Sequence, residues 1–121
     1  MTIAEITAKI IAESNGNIHD IEHLLKVYAY ARTLGELEAL DAHTQFVLEA
    51  AALLHDIACP LCREKYGSCP GNLQEAESKP LVEAFLKDSG MPQDDIDRIA
   101  WIVSHHHTYG LENGADYQLL L

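Results

Sequence analysis

Basic residues are scarce in this chain. Eight Lys and Arg stand against 19 Asp and Glu in 121 residues, which gives a formal net charge of −11 with neutral histidines. Affinity for nucleic-acid backbones and for anionic membranes comes mainly from Lys and Arg. We therefore expect neither nucleic acid nor a membrane as a partner. A small anionic substrate remains compatible with this charge, because a bound cation can supply local positive charge.

The sequence predicts neither a secretion signal nor a membrane-spanning segment. The first residues, MTIAEI, begin an amphipathic pattern and contain no apolar signal region. No apolar stretch is read as long enough to cross a membrane. These absences favour a cytoplasmic protein. At 13.4 kDa the chain is long enough for one hydrophobic core but not for two, so we expect a single domain over 1–121.

Cysteine is rare and odd in number. Cys59, Cys62 and Cys69 all lie within 57–72, which is rich in Pro and Gly and is predicted to be a loop. In a cytosolic chain we expect three reduced thiols. The spacing of Cys59 and Cys62 also matches half of a zinc site with Cys69 as a third ligand, and this alternative stays open.

Alternation with a period of two is absent, which argues against β-strands. Apolar residues recur instead at helical spacing, and this pattern predicts an all-α bundle of five to six helices. The predicted helices cover about 2–14, 20–34, 42–55, 73–88 and 93–106, with a further pattern from Gly114 to Leu121. Asp20 and Asp41 are expected to cap helices, and Pro80 to kink or divide one. Three final leucines follow no stop signal, so we expect the chain to end within its last helix.

Histidines lie at the ends or on the faces of three predicted helices. His55 and Asp56 close an apolar run, 46–54, that must be buried. Such a pair is costly to bury unpaired, and both side chains are good ligands for divalent first-row metals. The other histidines that a helical bundle could bring to the same metal are His23, His105, His106 and His107. Without a metal, Asp56 would cap a helix end and 105–107 would be a solvated helix end.

Three segments of the chain resemble the HD superfamily of metal-dependent phosphohydrolases. They are 20–31 (DIEHLLKVYAYA), 51–57 (AALLHDI) and 101–107 (WIVSHHH). The resemblance extends over about 18–121 and implies an all-helical HD-like domain. It also implies one divalent ion, and the ligands are expected to be His23, His55, Asp56 and a further aspartate. Asp116 is the candidate for that aspartate within the chain, and otherwise it would lie beyond Leu121.

The chain departs from the family pattern at two places. Family members with two metals carry a histidine where Gln74 stands, which favours one metal, drawn from Mn, Fe, Ni, Mg, Co and Zn. Some members have a catalytic lysine or acid after the His-Asp pair, where this chain has Ile57, Ala58, Cys59 and Pro60. Two other functions therefore stay open: a non-catalytic metal-binding or regulatory HD module, and a cysteine-based zinc module.

The chemistry implied by the resemblance is hydrolysis of a small phosphoester or nucleotide. A bound ion lowers the pKa of a water molecule and binds the phosphoryl oxygen. The candidate catalytic residues are Asp56 and His106, and one of His105, His106 and His107 is expected to bind phosphate or to protonate the leaving oxygen. The candidates for binding the phosphorylated substrate are His105, His107, Lys26, Arg63 and Lys79.

Overall fold

The computed structural model describes residues 1–106 and, beyond them, Gly114, Asp116 and Leu120. Within these residues the chain forms six α-helices and no strand. They are α1 (Ile3–Glu13), α2 (Ile18–Leu37), α3 (Ala42–Leu54), α4 (Cys59–Tyr66), α5 (Gly71–Leu86) and α6 (Gln93–His105). The predicted all-α bundle of five to six helices is therefore confirmed. His107 and most of the pattern predicted after Gly114 lie outside the described residues.

Helix α3 is the central element of the bundle. It packs against α1, α2 and α6, and seven of its 13 residues are buried. It begins after Asp41, whose carboxylate accepts a hydrogen bond from the Thr44 backbone N–H at 2.8 Å, as predicted. It ends at His55, the C-cap residue. The buried packing of α3 therefore fixes the position of His55 and of Asp56, which follows it.

The stretch Ala42–Tyr66 is long and apolar enough, by length and composition alone, to cross a membrane. The prediction that no stretch reaches this length is therefore wrong on those criteria. In the structure a turn at 55–58 separates α3 from α4. Of the apolar 18-residue stretch within Ala42–Tyr66, 61% is buried inside the protein. The place of α3 in the core accounts for its apolar composition.

Two other helices differ from their predicted form. Helix α2 begins earlier than expected, because Asn17 is its N-cap instead of Asp20. The Asn17 Oδ1 atom accepts a hydrogen bond from the Asp20 backbone N–H at 3.1 Å. Helix α5 runs through Pro80 without being divided. Asp20 thus lies in the first turn of α2, where its carboxylate is not used as a cap.

Helix α4 occupies a segment that was predicted to be a loop. Pro60 lies in its first turn, where the missing N–H removes no helical hydrogen bond. Gly67 ends the helix at φ 79°, a left-handed conformation that glycine adopts without strain. The Pro and Gly that were interpreted as loop residues are therefore the start and stop signals of a short helix.

An exposed ion pair joins α3 to α6. His43 Nε2 donates a hydrogen bond to Asp95 Oδ1 at 2.7 Å. This hydrogen bond and the negative charge of Asp95 raise the pKa of His43. Because the pKa of His43 is then higher in the folded than in the unfolded state, the stabilisation of the fold by this ion pair is fully present below the unfolded-state pKa. It is lost as the pH rises through the folded value.

We expect His43→Gln to lower the urea midpoint of unfolding at about pH 5.5 and to leave it unchanged at about pH 9. Urea titrations of both proteins at the two pH values measure the difference. His19→Gln, a change at an exposed residue of α2, is the control and should show no pH-dependent difference. Equal midpoint shifts at both pH values would mean that the His43–Asp95 pair is not responsible.

Candidate metal centre

Three side chains from α2 and from the end of α3 form one group of possible metal ligands. His23 Nε2 lies 3.1 Å from His55 Nε2 and 3.1 Å from Asp56 Oδ2. His55 Nε2 lies 3.2 Å from the same carboxylate oxygen. We call His23, His55 and Asp56 the HHD cluster. The fold thus brings together three of the four residues that the sequence indicated as ligands.

The donor atoms of the HHD cluster fit a divalent cation. All three lie within 4.8 Å of one another. Ligands that bind an ion at about 2.0–2.2 Å are separated from each other by about 3 Å, which is the spacing observed. Two imidazole nitrogens and a carboxylate oxygen suit divalent first-row ions. The residues present are therefore compatible with the metal that the sequence implied.

Backbone carbonyls orient two histidines at this site. His55 Nδ1 donates a hydrogen bond to the Ala52 carbonyl oxygen at 2.6 Å, which directs its Nε2 lone pair to the cluster. His106 Nδ1 donates in the same way to the Val103 carbonyl oxygen at 2.6 Å. Such contacts fix the tautomer of a ligating histidine and raise the basicity of its other nitrogen.

Asp56 is held in its ionised form. Burial raises its pKa, but the neighbouring imidazoles of His55, His23 and His106 outweigh the effect of burial and lower the pKa to about 2. A carboxylate that is ionised at neutral pH can bind a cation without first releasing a proton. The electrostatics of the site therefore favour a cation ligand at Asp56.

His106 lies beside the HHD cluster and at a greater distance from it. Its Nε2 is 4.0 Å from Asp56 Oδ1, and its ring meets the edge of the His55 ring with 5.4 Å between centroids. The residue is buried, with 6% of its surface exposed. This position lets His106 Nε2 reach a molecule bound at Asp56, and its catalytic role stays a prediction.

The other predicted substrate contacts lie at different places. The His105 ring stacks on Trp101 with 4.3 Å between centroids, and its Nδ1 donates to the Trp101 carbonyl oxygen at 2.7 Å. His105 and Lys79 line a separate cavity between α5 and α6. Lys26 extends over the Tyr30 ring, 5.9 Å from its centroid. The roles of these residues in substrate binding stay predictions.

Asp116 was the candidate for a fourth metal ligand, but in the structure its carboxylate forms an ion pair with Arg98. Arg98 Nε donates to Asp116 Oδ2 at 3.0 Å, and Arg98 Nη2 donates to Oδ1 at 2.7 Å. A two-fold contact of this kind fixes the orientation of the carboxylate. Asp116 is not part of the ligand group found among the described residues. The geometry therefore gives Asp116 a structural contact with α6.

A cavity of about 170 Å³ opens beside Asp56. Its lining residues are Ile10, Glu13, Ser14, Asp20, Asp56, Ile57, Pro60, Leu61 and Leu81. Asp20 also binds Arg63 of α4, with Nη1 to Oδ2 at 2.8 Å and Nη2 to Oδ1 at 2.6 Å. Sequence reasoning missed this pair, because its members are 43 positions apart and Asp20 was interpreted as a helix cap.

A disulfide joins Cys59 to Cys69, with their Cα atoms 5.3 Å apart, and Cys62 is free and buried. The expectation of three reduced thiols is therefore wrong. A zinc site that uses all three thiolates is also excluded while the disulfide is formed. Cysteine spacing alone cannot reveal which residues pair. Gln74 Nε2 donates to the Cys69 carbonyl oxygen at 3.0 Å, so Gln74 supports the cross-linked segment.

Comparison with known protein families agrees with this geometry. The HD domain family matches residues 20–119, which is most of the chain and includes the whole HHD cluster. No curated protein and no solved structure gives a significant match. The resemblance seen in the sequence is confirmed, and the chain belongs to the HD domain family.

Proposed function

We propose that this protein is a metal-dependent phosphohydrolase that acts on a small phosphoester or nucleotide. Membership of the HD family supports the general class of activity. The HHD cluster is the observation that carries the proposal, because it offers three protein ligands within 4.8 Å of one another. Three protein ligands leave coordination positions open for water and for substrate.

Each residue of the site has its own role in the proposed reaction. A divalent ion, when bound, supplies a Lewis acid that lowers the pKa of water and polarises a phosphoryl oxygen. His55 presents its Nε2 lone pair because its Nδ1–H is held by the Ala52 carbonyl. His106, whose Nδ1–H is held likewise by the Val103 carbonyl, acts as the acid in its doubly protonated form, in which Nε2 carries the proton that passes to the leaving oxygen. Asp56 stays ionised between them.

Phosphate release from a panel of nucleotides and small phosphomonoesters, with Mn²⁺ added, tests the proposal. We expect the parent protein to hydrolyse at least one class of ester. His106→Gln should lower kcat by about 10²- to 10⁴-fold while the metal is retained. His43→Gln is the control and should leave kcat unchanged. Absence of release from every ester by metal-loaded parent protein would contradict the proposal.

A second candidate is a non-catalytic metal-binding or regulatory module. The residues that follow His55 and Asp56, 57–60, contain no acid and no lysine, and Cys59 is held in a disulfide. This candidate predicts that the protein retains its metal but turns over no ester. The same panel therefore separates the two functions.

The charge of the chain supports a further part of the proposal. With a net charge of −11, the protein has little attraction for phosphate backbones or anionic bilayers. We propose a small phosphorylated molecule as the partner, with neither nucleic acid nor a membrane. A cytoplasmic location is proposed from the absence of a signal region, and the Cys59–Cys69 disulfide stands against it, because cytosolic thiols are kept reduced. Unchanged phosphate-ester turnover in the presence of excess duplex DNA is the expected result.

A further inference from the structure

We propose that Arg63 binds the phosphoryl group of the substrate, and that Asp20 holds its guanidinium in place until an anion replaces the Asp20 carboxylate. The inference rests on the proposed function, because it places the phosphoryl group in the cavity beside the HHD cluster. The ligand class is a phosphate monoester or inorganic phosphate.

The HHD cluster and the Arg63–Asp20 pair both contribute a residue to one cavity. Asp56, the carboxylate of the HHD cluster, and Asp20, the partner of Arg63, line the same cavity. Glu13 is a third acidic residue in its wall. An anion that enters such a cavity needs positive charge beyond that of a single cation. Arg63 is hydrogen-bonded to one of these three carboxylates, that of Asp20, and can supply that charge.

Arg63 is the basic residue best placed for this role. All eight Lys and Arg of the chain lie in the described region. Others are engaged with Phe85, Glu36, Glu77 and Asp116. Among the ion pairs that Lys and Arg form in the described residues, the pair of Arg63 and Asp20 is the one that includes a residue of this cavity wall. The hydrogen bond to Asp20 raises the pKa of Arg63, and the negative charges of Asp20 and Asp56 add to the effect.

The geometry of the pair allows an exchange of anions. A guanidinium offers two parallel N–H groups that fit a carboxylate or a phosphate in the same way. The two bonds to Asp20, at 2.8 and 2.6 Å, already use this arrangement. The Arg63 side chain is 41% exposed, so the pair is partly solvated and contributes little to stability. A stronger anion can therefore replace the Asp20 carboxylate at the Arg63 guanidinium.

The position of α4 prepares Arg63 for this contact. Helix α4 begins at Cys59, which is cross-linked to Cys69, and its residues Pro60 and Leu61 form part of the cavity wall. A side chain on a tethered helix loses less conformational freedom on binding than one on a free loop. The guanidinium is thus held against Asp20, a residue of the cavity wall, before the anion arrives.

Calorimetric titration of inorganic phosphate, with and without Mn²⁺, tests the assignment. We expect Arg63→Gln to weaken phosphate binding by about tenfold or more, because a charged hydrogen-bond donor is lost. We expect Asp20→Asn to tighten binding by about threefold, because the competing carboxylate is gone. If the ion pair only holds α4 to α2, the two variants will shift phosphate affinity in the same direction or not at all, which would overturn the proposal.

Two further variants separate release of Arg63 from simple loss of negative charge. In the Arg63→Gln background, Asp20→Asn should no longer change phosphate affinity. Glu13→Gln removes an acidic residue from the same wall, and no described hydrogen bond links Glu13 to Arg63. Tightening by Glu13→Gln equal to that by Asp20→Asn, or an undiminished effect of Asp20→Asn in the double variant, would refute the exchange.

Ester hydrolysis measured in parallel keeps the two proposals distinct. A parent protein that binds phosphate through Arg63 but hydrolyses no ester contradicts the phosphohydrolase proposal alone. A parent protein that hydrolyses esters, with phosphate affinity and KM unchanged in Arg63→Gln, contradicts the role of Arg63 alone. If the role is correct, KM should rise in Arg63→Gln by a larger factor than kcat falls.

Discussion

We expect the parent protein to retain a transition metal and the variant His55→Ala/Asp56→Ala to lose it. The variant removes two of the three donor groups that lie within 4.8 Å of one another. Loss of a second-shell partner alone lowers metal affinity by about 10- to 100-fold, and loss of two direct ligands should exceed this range. Elemental analysis of both purified proteins, after dialysis against metal-free buffer, measures the difference.

Cys62→Ser is the informative comparison for that experiment. Cys62 is the free thiol of the described residues and would be a ligand only in a cysteine-based site. We expect this variant to keep its metal. Retention of zinc by His55→Ala/Asp56→Ala, with loss from Cys62→Ser, would move the metal from the HHD cluster to α4. Circular dichroism of each variant confirms that a lost metal is not the result of unfolding.

Reduction of the Cys59–Cys69 disulfide is expected to lower the free energy of unfolding by about 2–3 kcal/mol. The bond closes a loop of sequence separation 10 and so restricts the unfolded chain. Its removal restores that conformational freedom, while the contacts of the folded state need not change. Urea denaturation of the parent protein with and without a dithiol reductant measures the loss.

Cys69→Ala serves as the control for this second experiment. It should match the reduced parent in stability, and the reductant should have no further effect on it. Thiol titration provides an independent check. The unfolded, unreduced parent should show one free thiol, and three should appear after reduction. Three thiols before reduction would contradict the assignment of the disulfide.

The HHD cluster could be anticipated from the sequence because its signal is local. His55 and Asp56 close a helix whose apolar residues leave no exposed face, and seven of its residues are indeed buried. A polar pair at the end of such a helix has few favourable environments other than a partner or an ion. His23 could be added because the HD pattern places a histidine on the preceding helix.

Contacts between distant positions could not be anticipated. Arg63 with Asp20, Cys59 with Cys69, and Arg98 with Asp116 are all set by how the helices pack. Local patterns assign each residue its commonest role: Asp20 a helix cap, Cys59 a reduced thiol, Asp116 a possible ligand. Asn17, three positions before Asp20, was the better cap and freed the Asp20 carboxylate for Arg63. Only tertiary structure decides between such competing partners.

Apart from Asp56 and Asp20, the cavity wall comes from other elements of the fold than the ligands do. The HHD cluster belongs to α2 and the end of the buried α3, whereas much of the wall comes from α1, α4 and α5. Helix α4 is short, mostly exposed and closed at its base by the disulfide. Substitutions at its exposed positions can alter which molecules enter without disturbing the core or the HHD cluster. In the history of such a protein, the shape of the cavity would be free to diverge quickly while the HHD cluster stayed under strong constraint.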